Sequence, residues 1–265
     1  MLREHDIKTA LIVRLHQKGM LDNAVLINEM VVAKWSRRAD LALANGTLQA
    51  FEIKSDYDSL RRLEGQLATF NSRFEKVTVV CAPKFTVEVL SQVSRDTEVL
   101  EVSEVDGSVS FKIVQRGRIR NIKDKKILLS FLLKKDIQAL LKQRAISNVM
   151  DLNRESLEAK CLELPVSVIR DFVIGTIKSR YRETSNLLIE KLDGSSVLLN
   201  ADLNLLSKKK LVKASRCQNL KLRIIDGCSD SPDVVNLDFS RLKRKYGEGF
   251  GSAPSFAIKR LVRNK

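Results

Sequence analysis

The sequence is poor in the residues on which several common kinds of site depend. It contains only two histidines, His5 and His16, among its 265 residues, which disfavours both a Ser-His-Asp triad and a nuclease with a histidine base. The four cysteines are spread along the chain without a C-x-x-C pair. This spacing argues against a zinc site and against a disulfide framework, so we expect free, buried thiols.

Long apolar runs are also missing. No segment approaches the roughly 18 consecutive apolar residues that a membrane-spanning helix requires. Residues 1–19 have charges among their apolar positions, unlike a signal peptide. With 44% hydrophobic and 30% charged residues, the composition is typical of a globular protein. We expect no membrane contact and a cytoplasmic location.

Positive charge is in excess, and the excess grows toward the C-terminus. Residues 1–120 contain 18 Lys and Arg against 16 Asp and Glu. The corresponding numbers are 14 against 10 for residues 121–200 and 15 against 6 for residues 201–265. This distribution favours a catalytic or structural front half, followed by a region that meets a polyanion. A solvated basic tail is the alternative.

Hydrophobic periodicity indicates that helices and strands alternate in the first part of the chain. It predicts helices near residues 6–18, 60–74 and 86–93, strands near 24–33 and 76–82, and hairpins at 38–55 and 98–114. The order α-β-β-β-α-β, followed by a helix and a hairpin, is typical of an α/β domain. Farther on, the pattern predicts helices at 122–145 and 154–182 with a break at Pro165, then a hairpin at 186–200 around Asp193-Gly194.

These patterns divide the chain into three predicted parts. They are an α/β domain in residues 1–118, a basic and mainly helical nucleic-acid-binding region in 119–240, and a basic tail in 241–265. The candidate phosphate contacts are Arg37, Arg38, Lys208, Lys209, Lys210, Arg241, Lys243, Arg244 and Lys245. Aromatic residues interleaved with the last cluster, such as Tyr246 and Phe250, suit stacking on unpaired bases.

The hairpin RADLALANGTLQAFEIKS, residues 38–55, carries two carboxylates and a lysine near its ends. Side chains alternate between the faces of a strand, so Asp40, Glu52 and Lys54 each lie opposite the large apolar residues of their own strand. A two-residue turn would pair Asp40 with Phe51, whereas a three-residue loop pairs Asp40 with Glu52. We predict the longer loop, because the shorter one would place Asp40 on an apolar face.

Two carboxylates that face each other across strands repel, and one lysine offsets this repulsion only in part. A divalent cation would resolve the conflict, because Mg²⁺ prefers carboxylate oxygens and also binds phosphate oxygens. Lys54 could then orient an attacking water and stabilise the charge that develops on phosphorus. The hairpin therefore predicts phosphodiester hydrolysis with Mg²⁺ or Mn²⁺ held by Asp40 and Glu52.

Asp40, followed twelve residues later by Glu52-Ile53-Lys54, resembles the PD-(D/E)XK nuclease superfamily over about residues 1–118. The resemblance implies a restriction-endonuclease-like core with a mixed central sheet. It also implies that Asp40 and Glu52 hold Mg²⁺ and that Lys54 assists the nucleophile. The sequence is most similar to a branch of bacterial and phage proteins in which EIKSD precedes a helix rich in Leu and Arg. Ala39 stands where the superfamily has proline.

The same resemblance suggests two further site residues. Many members carry an additional Glu upstream, for which Glu29 is the candidate metal ligand, although it is predicted to lie on a strand rather than on the first helix. Some carry a Gln on the following helix, four residues before an aromatic residue, and Gln66 and Phe70 match that spacing. The [DE]-x-K triplet alone is uninformative, since it recurs in this chain at Asp6, Asp124 and Glu158.

The function predicted from the sequence is that of a Mg²⁺-dependent deoxyribonuclease whose partner is DNA, with RNA left open. The main alternative is a nucleic-acid-binding protein on a nuclease fold without catalysis. A third hypothesis, a protein-interaction module, predicts neither DNA binding nor metal binding. The intact set of Asp40, Glu52 and Lys54 favours the enzyme over both. The form of the substrate, the biological pathway and the choice between monomer and homodimer stay open at this point.

Overall fold

The computed structural model describes residues 1–33, 36–195 and 197–207, together with the backbones of the short segments 234–236 and 256–258. The chain divides into two compact units, Met1–Ser215 and Arg216–Lys265. Within the described residues, no helix is long and apolar enough to cross a membrane. Cys81 and Cys161 are free and buried, as predicted, whereas Cys217 and Cys228 lie outside the described residues.

A six-stranded sheet forms the centre of the first unit. Its strands are β1 (Val25–Val32), β2 (Arg37–Ala44), β3 (Leu48–Lys54), β4 (Lys76–Cys81), β5 (Glu98–Val105) and β6 (Ser108–Gln115). They lie side by side in sequence order. Strands β3, β4 and β5 run parallel, and every other neighbouring pair is antiparallel. The predicted α/β fold with a mixed central sheet is confirmed.

In the part of the chain that the structure describes, seven α-helices cover the two faces of this sheet. They are α1 (Glu4–Gln17), α2 (Leu63–Arg73), α3 (Thr86–Gln92), α4 (Lys125–Leu129), α5 (Lys134–Gln143), α6 (Arg154–Cys161) and α7 (Val166–Gly194). Apolar side chains of α2 and α4 to α7 fill the core on one face, and those of α1 fill the core on the other face. The long helix α7 contributes to both cores, with Ile169 and Val173 in the first and Leu188 and Leu192 in the second. Both faces of the sheet are therefore covered over β1 to β4, whereas β6 has no fully buried residue.

The predicted order of elements up to β6 is confirmed, and so is the break at Pro165, which lies directly before α7. The hairpin predicted at 186–200 is wrong, because α7 continues through Asp193 and Gly194. Leu188 and Leu192 lie one helical turn apart and are both buried, so burial of a helical stripe outweighs the local Asp-Gly turn signal. The predicted domain boundary at residue 118 falls between β6 and α4.

The register of the β2–β3 hairpin is the one predicted from the charged residues. Leu41 pairs with Phe51 and Ala44 pairs with Leu48, which leaves residues 45–47 as the loop. Gly46 within this loop has a φ of +101°, a backbone conformation that favours glycine. The three-residue loop is therefore confirmed, and the register sets Asp40 level with Glu52.

The second unit is described only at two strands, β7 (Val234–Asn236) and β8 (Phe256–Ile258), which pair antiparallel. The basic clusters predicted to contact phosphate lie outside the described residues, namely Lys208, Lys209, Lys210, Arg241, Lys243, Arg244 and Lys245. Their role stays a prediction from the sequence.

Candidate functional site

Four of the residues singled out in the sequence form one cluster around the end of β3. Asp40 Oδ2 on β2 accepts a hydrogen bond from the backbone N–H of Ile53 at 2.7 Å. Glu52 Oε1 accepts one from Lys54 Nζ at 2.8 Å, and both side chains are buried. Lys54 Nζ also donates to Gln66 Oε1 on α2 at 3.1 Å. Strand pairing and the packing of α2 on the sheet thus bring Asp40, Glu52, Lys54 and Gln66 together.

The two carboxyl groups of this cluster are poorly compensated in their charged forms. Burial, and then the negative charge of Glu52, raises the pKa of Asp40 to about 7. Burial also raises the pKa of Glu52, while Lys54 and the Gln66 side chain lower it. Glu52 Oε2 is buried and makes no hydrogen bond within the described residues. A buried carboxylate oxygen without a partner is costly, so the cluster is incomplete as a purely structural arrangement.

Helix α1 supplies a third carboxylate that the sequence reasoning missed. The negative charge of Glu4 contributes to the raised pKa values of both Asp40 and Glu52. Glu4 is held by the buried Lys8, whose Nζ donates to Glu4 Oε1 at 3.0 Å and to Asn28 Oδ1 at 3.1 Å. The N-terminal turn of α1 therefore adds negative charge to the site from the opposite side of the sheet to α2.

Glu29 lies on β1, as predicted, but the structure pairs it with an arginine instead of with the cluster. Its Oε2 lies 3.2 Å from Arg38 Nη1, and 45% of its side chain is exposed. The backbone of Glu29 has a φ of +55°, in the left-handed region. Ile27 and Met30, on either side of it, both belong to the first core. The side-chain alternation of β1 therefore shifts by one residue at Glu29, and this shift accompanies its exposure.

The donor set suits a hard divalent cation. Asp40 and Glu52 offer adjacent carboxylates, one of which has an oxygen without a partner in the described residues. Mg²⁺ is commonly bound through only one or two carboxylates while it keeps several waters. Over residues 1–33, 36–195 and 197–207, no group of three or more His, Cys, Asp or Glu side chains is arranged to hold a metal ion. A two-carboxylate site is therefore what the geometry offers.

Exposed arginines lie close to the cluster. Arg37 and Arg38 begin β2 and are both exposed. Arg37 Nη2 lies only 3.1 Å from the position that a Cβ atom on Gly65 would take, so its guanidinium rests against α2. Arg61 and Arg62, directly before α2, are exposed as well. This group of four arginines, the arginine rim, places exposed guanidinium groups near Asp40 and Glu52, and one of the four, Arg38, is paired with Glu29.

A cleft of about 400 Å³ opens beside the start of α1 and the segment that follows β3. It is lined by Arg3, Glu4, His5, Ser55, Tyr57 and Asp58. Glu4 belongs both to this cleft and to the electrostatic surroundings of Asp40 and Glu52. Ser55 follows Lys54 directly in the chain. The cleft therefore adjoins the carboxylate cluster.

Comparison with known proteins relates the chain to bacteriophage proteins. The family model described as bacteriophage P4 protein cII matches residues 1–207. Protein cII of Enterobacteria phage P4 is 48% identical over 264 residues, which cover 99% of this chain and 98% of that protein.

Two solved structures are similar at low identity. The SPO1766 protein of unknown function from Silicibacter pomeroyi is 15% identical with a TM-score of 0.34, and the match covers 54% of this chain and 93% of that one. Pyrococcus furiosus SfsA in complex with Ca²⁺ is 15% identical with a TM-score of 0.28, covering 43% and 63% respectively. The match to residues 1–207 and the 48% identity show the family: the chain belongs to that of bacteriophage P4 protein cII.

Proposed function

We propose that the protein is a Mg²⁺- or Mn²⁺-dependent nuclease of the PD-(D/E)XK type that hydrolyses DNA phosphodiester bonds. The observation that carries the proposal is the pair formed by the partly buried Asp40 and the buried Glu52, with Lys54 beside it and Glu52 Oε2 unsatisfied within the described residues. Folding alone would favour neutral residues at these positions. A bound cation would instead use the carboxylates of Asp40 and Glu52, and a phosphate group would use the ammonium group of Lys54.

Asp40 and Glu52 are the side chains that would hold the metal ion, and Glu4 adds negative charge nearby. A bound Mg²⁺ would supply a Lewis acid that lowers the pKa of water and offsets phosphate charge. Lys54 is held in place by Glu52 and Gln66. Its ammonium group can orient the attacking water and stabilise negative charge on the phosphate. Gln66 acts as a positioning residue for Lys54.

The arginine rim gives the proposed enzyme a way to hold its substrate. Exposed guanidinium groups such as those of Arg37 and Arg38 bind phosphate oxygens without regard to base sequence. Binding through them would weaken as the salt concentration rises, because condensed counterions are released from the nucleic acid. The rim thus supports binding that is largely independent of sequence.

A catalytically silent DNA-binding protein is the second candidate, and one observation favours it. Glu29 is paired with Arg38, and no third carboxylate joins Asp40 and Glu52 in a metal-binding group within the described residues. Such a protein would bind DNA with the same dependence on salt and would cleave nothing with any metal.

Plasmid digestion with Mg²⁺ or Mn²⁺ tests the proposal directly. Wild type is compared with Lys54→Ala and with Lys126→Ala, a control that changes the exposed lysine of another [DE]-x-K triplet, on α4. We expect wild type and Lys126→Ala to cut DNA equally, and digestion of supercoiled plasmid and single-stranded circular DNA side by side shows which form is the substrate. Lys54→Ala should lose activity by about 100-fold or more, the usual cost of removing a group that stabilises transition-state charge. The isosteric Asp40→Asn should be equally impaired.

Three other outcomes have distinct meanings. Equal cleavage by wild type and Lys54→Ala would assign the activity to a contaminant or to another site and would refute the proposed centre. Cleavage of single-stranded DNA alone would keep the mechanism and restrict the substrate. Binding of DNA without cleavage of any form, under either metal, would overturn the enzyme in favour of the silent binding protein.

A further inference from the structure

The cleft beside the carboxylate cluster displays an exposed aromatic ring. Tyr57 is 65% exposed although it lies close to a buried site. The Arg3 guanidinium carbon lies 5.9 Å from the centre of its ring, within the range of a cation–π contact. Because Tyr57 stays this exposed with Arg3 in place, part of its ring is free to contact another planar group.

The segment that carries Tyr57 is held in place by hydrogen bonds. Asp58 Oδ2 accepts from the backbone N–H of Ser55 at 2.9 Å and from its hydroxyl group. Ser55 Oγ accepts from the N–H of Tyr57 at 3.3 Å, and Asp56 Oδ2 accepts from the N–H of Leu2 at 3.2 Å. Asp56 and Asp58 thus stabilise the turn that follows β3. The exposed ring of Tyr57 therefore lies on a segment that these hydrogen bonds hold in a defined position.

The ring is also close to the proposed chemistry. Tyr57 follows Lys54 by three residues, so their Cα atoms lie within about 11 Å of each other. A nucleic-acid strand with a phosphate at Asp40 and Glu52 could therefore place a neighbouring base in the cleft. The cations of Arg3 and the arginine rim would attract the backbone of the same strand.

We propose that Tyr57, with Arg3 against its ring, stacks on an unpaired base next to the cleaved phosphate, so that the substrate is single-stranded DNA. The inference rests on the proposed nuclease function and names its substrate class. A base within a duplex has both faces covered by its neighbours and cannot stack on a protein side chain without leaving the helix. Aromatic stacking accepts any base, which agrees with phosphate contacts that carry no sequence information.

The test measures binding apart from cleavage. Lys54→Ala protein, which keeps both carboxylates but should cleave slowly, is titrated with Mg²⁺ into a fluorescently labelled single-stranded oligonucleotide, with Tyr57 intact or changed to Phe or Ala. Tyr57→Phe should bind as Tyr57 does, because it keeps the ring. Tyr57→Ala should bind about 5- to 100-fold more weakly, the usual range for one lost base stack. A blunt duplex should show no difference among the three proteins.

A series of oligonucleotides, each with one abasic position, locates the contact. If Tyr57 stacks on one base, the difference between Tyr57 and Tyr57→Ala should disappear when that base is missing. Equal binding by Tyr57→Ala and Tyr57→Phe overturns the inference. A loss of binding by Tyr57→Ala that persists at every abasic position also overturns it, and so does a failure to bind single strands. In those cases Tyr57 serves only to hold Arg3 at the start of α1. Cleavage by wild type without any effect of Tyr57→Ala would refute stacking while leaving the nuclease intact. Stacking without cleavage would refute only the nuclease.

Discussion

Two buried glutamates lie at opposite ends of strand β3 and differ in how completely their charge is compensated. Glu75, which directly precedes β4 and meets Leu48 at the start of β3, accepts hydrogen bonds from the backbone N–H of Leu48 at 2.9 Å and from two nitrogens of Arg170. Glu52, near the other end, accepts one from Lys54, and its second oxygen has no partner within the described residues. The two residues are 2% and 1% exposed.

The difference distinguishes a charge that completes the fold from one that is available to a ligand. Arg170 also donates to the carbonyl oxygen of Gly46 at 2.8 Å, so the Glu75 pair joins α7 to the hairpin loop. Glu52 instead lies beside Asp40, whose pKa is raised. Since both glutamates are equally buried, burial does not distinguish the candidate site from a structural ion pair. Incomplete pairing does.

The largest loss of stability is expected at Glu75, whose charge is fully compensated. Arg170→Ala should lower the free energy of unfolding by about 3–5 kcal/mol, because it leaves the Glu75 carboxylate buried with a single backbone donor. Urea unfolding followed by circular dichroism measures this loss. Adding Glu75→Gln to the same chain should restore part of the stability by removing the charge. A loss below about 1 kcal/mol would mean that the two glutamates do not differ as described.

Asp40→Asn should raise the free energy of unfolding, whereas Arg170→Ala lowers it. The pKa of Asp40 is raised to about 7 in the fold, so the folded state binds its proton more tightly than the unfolded chain does. This contribution to stability is fully present below about pH 4 and is lost as the pH rises to about 7. Without metal, Asp40→Asn should be more stable than wild type by about 1–3 kcal/mol at pH 8, and the difference should shrink toward pH 4.

Urea unfolding at a series of pH values with a chelator measures the difference between the two proteins. Asparagine Oδ1 can still accept from the N–H of Ile53, so the substitution removes little besides the ionisation. Identical pH dependence in wild type and Asp40→Asn would contradict the account of the site. Mg²⁺ should stabilise wild type at pH 8 and leave Asp40→Asn nearly unchanged, because binding to the folded state adds to its stability.

The smallest effect is expected for Arg38→Ala, which breaks the exposed ion pair with Glu29. Both side chains are about half exposed, so the free energy of unfolding should change by less than about 1 kcal/mol. If Arg38 contacts a phosphate, DNA binding by the same variant should depend less steeply on salt. The magnitude of the slope of log K against log salt should fall by about one. A large loss of stability would show that this pair is structural.

Much of the fold could be predicted because local signals agree with tertiary packing. The alternation of apolar and charged residues in β2 and β3 fixed the hairpin register, since only one loop length puts Asp40 level with Glu52. Gln66 was suggested by the resemblance to the nuclease superfamily, and it lies on α2 three residues after Leu63 and four before Phe70, both buried. Only the hairpin register follows from periodicity without knowledge of distant parts of the chain.

Other parts of the site depend on contacts that periodicity does not contain. Glu4 shares a helical stripe with Ile7 and Leu11, which are buried. That stripe shows which face of α1 is inward, but not which strand end lies beneath Glu4. Nothing in the apolar run around Glu29 signals a residue with a φ of +55°. The shift in alternation there, and the resulting pairing with Arg38, could not be predicted from the sequence.

Helix α7 restricts how copies of this protein could join through their sheets. It packs along β1, an edge strand, and Ser185 Oγ accepts the backbone N–H of Leu26 at 2.9 Å. A strand from another chain therefore finds that edge covered, whereas β6, at the opposite edge of the sheet, has no further strand beside it among the described residues. Two chains that pair through β6 about a two-fold axis would both use that edge. For the part of the chain that the structure describes, sheet extension of this kind would end at a dimer.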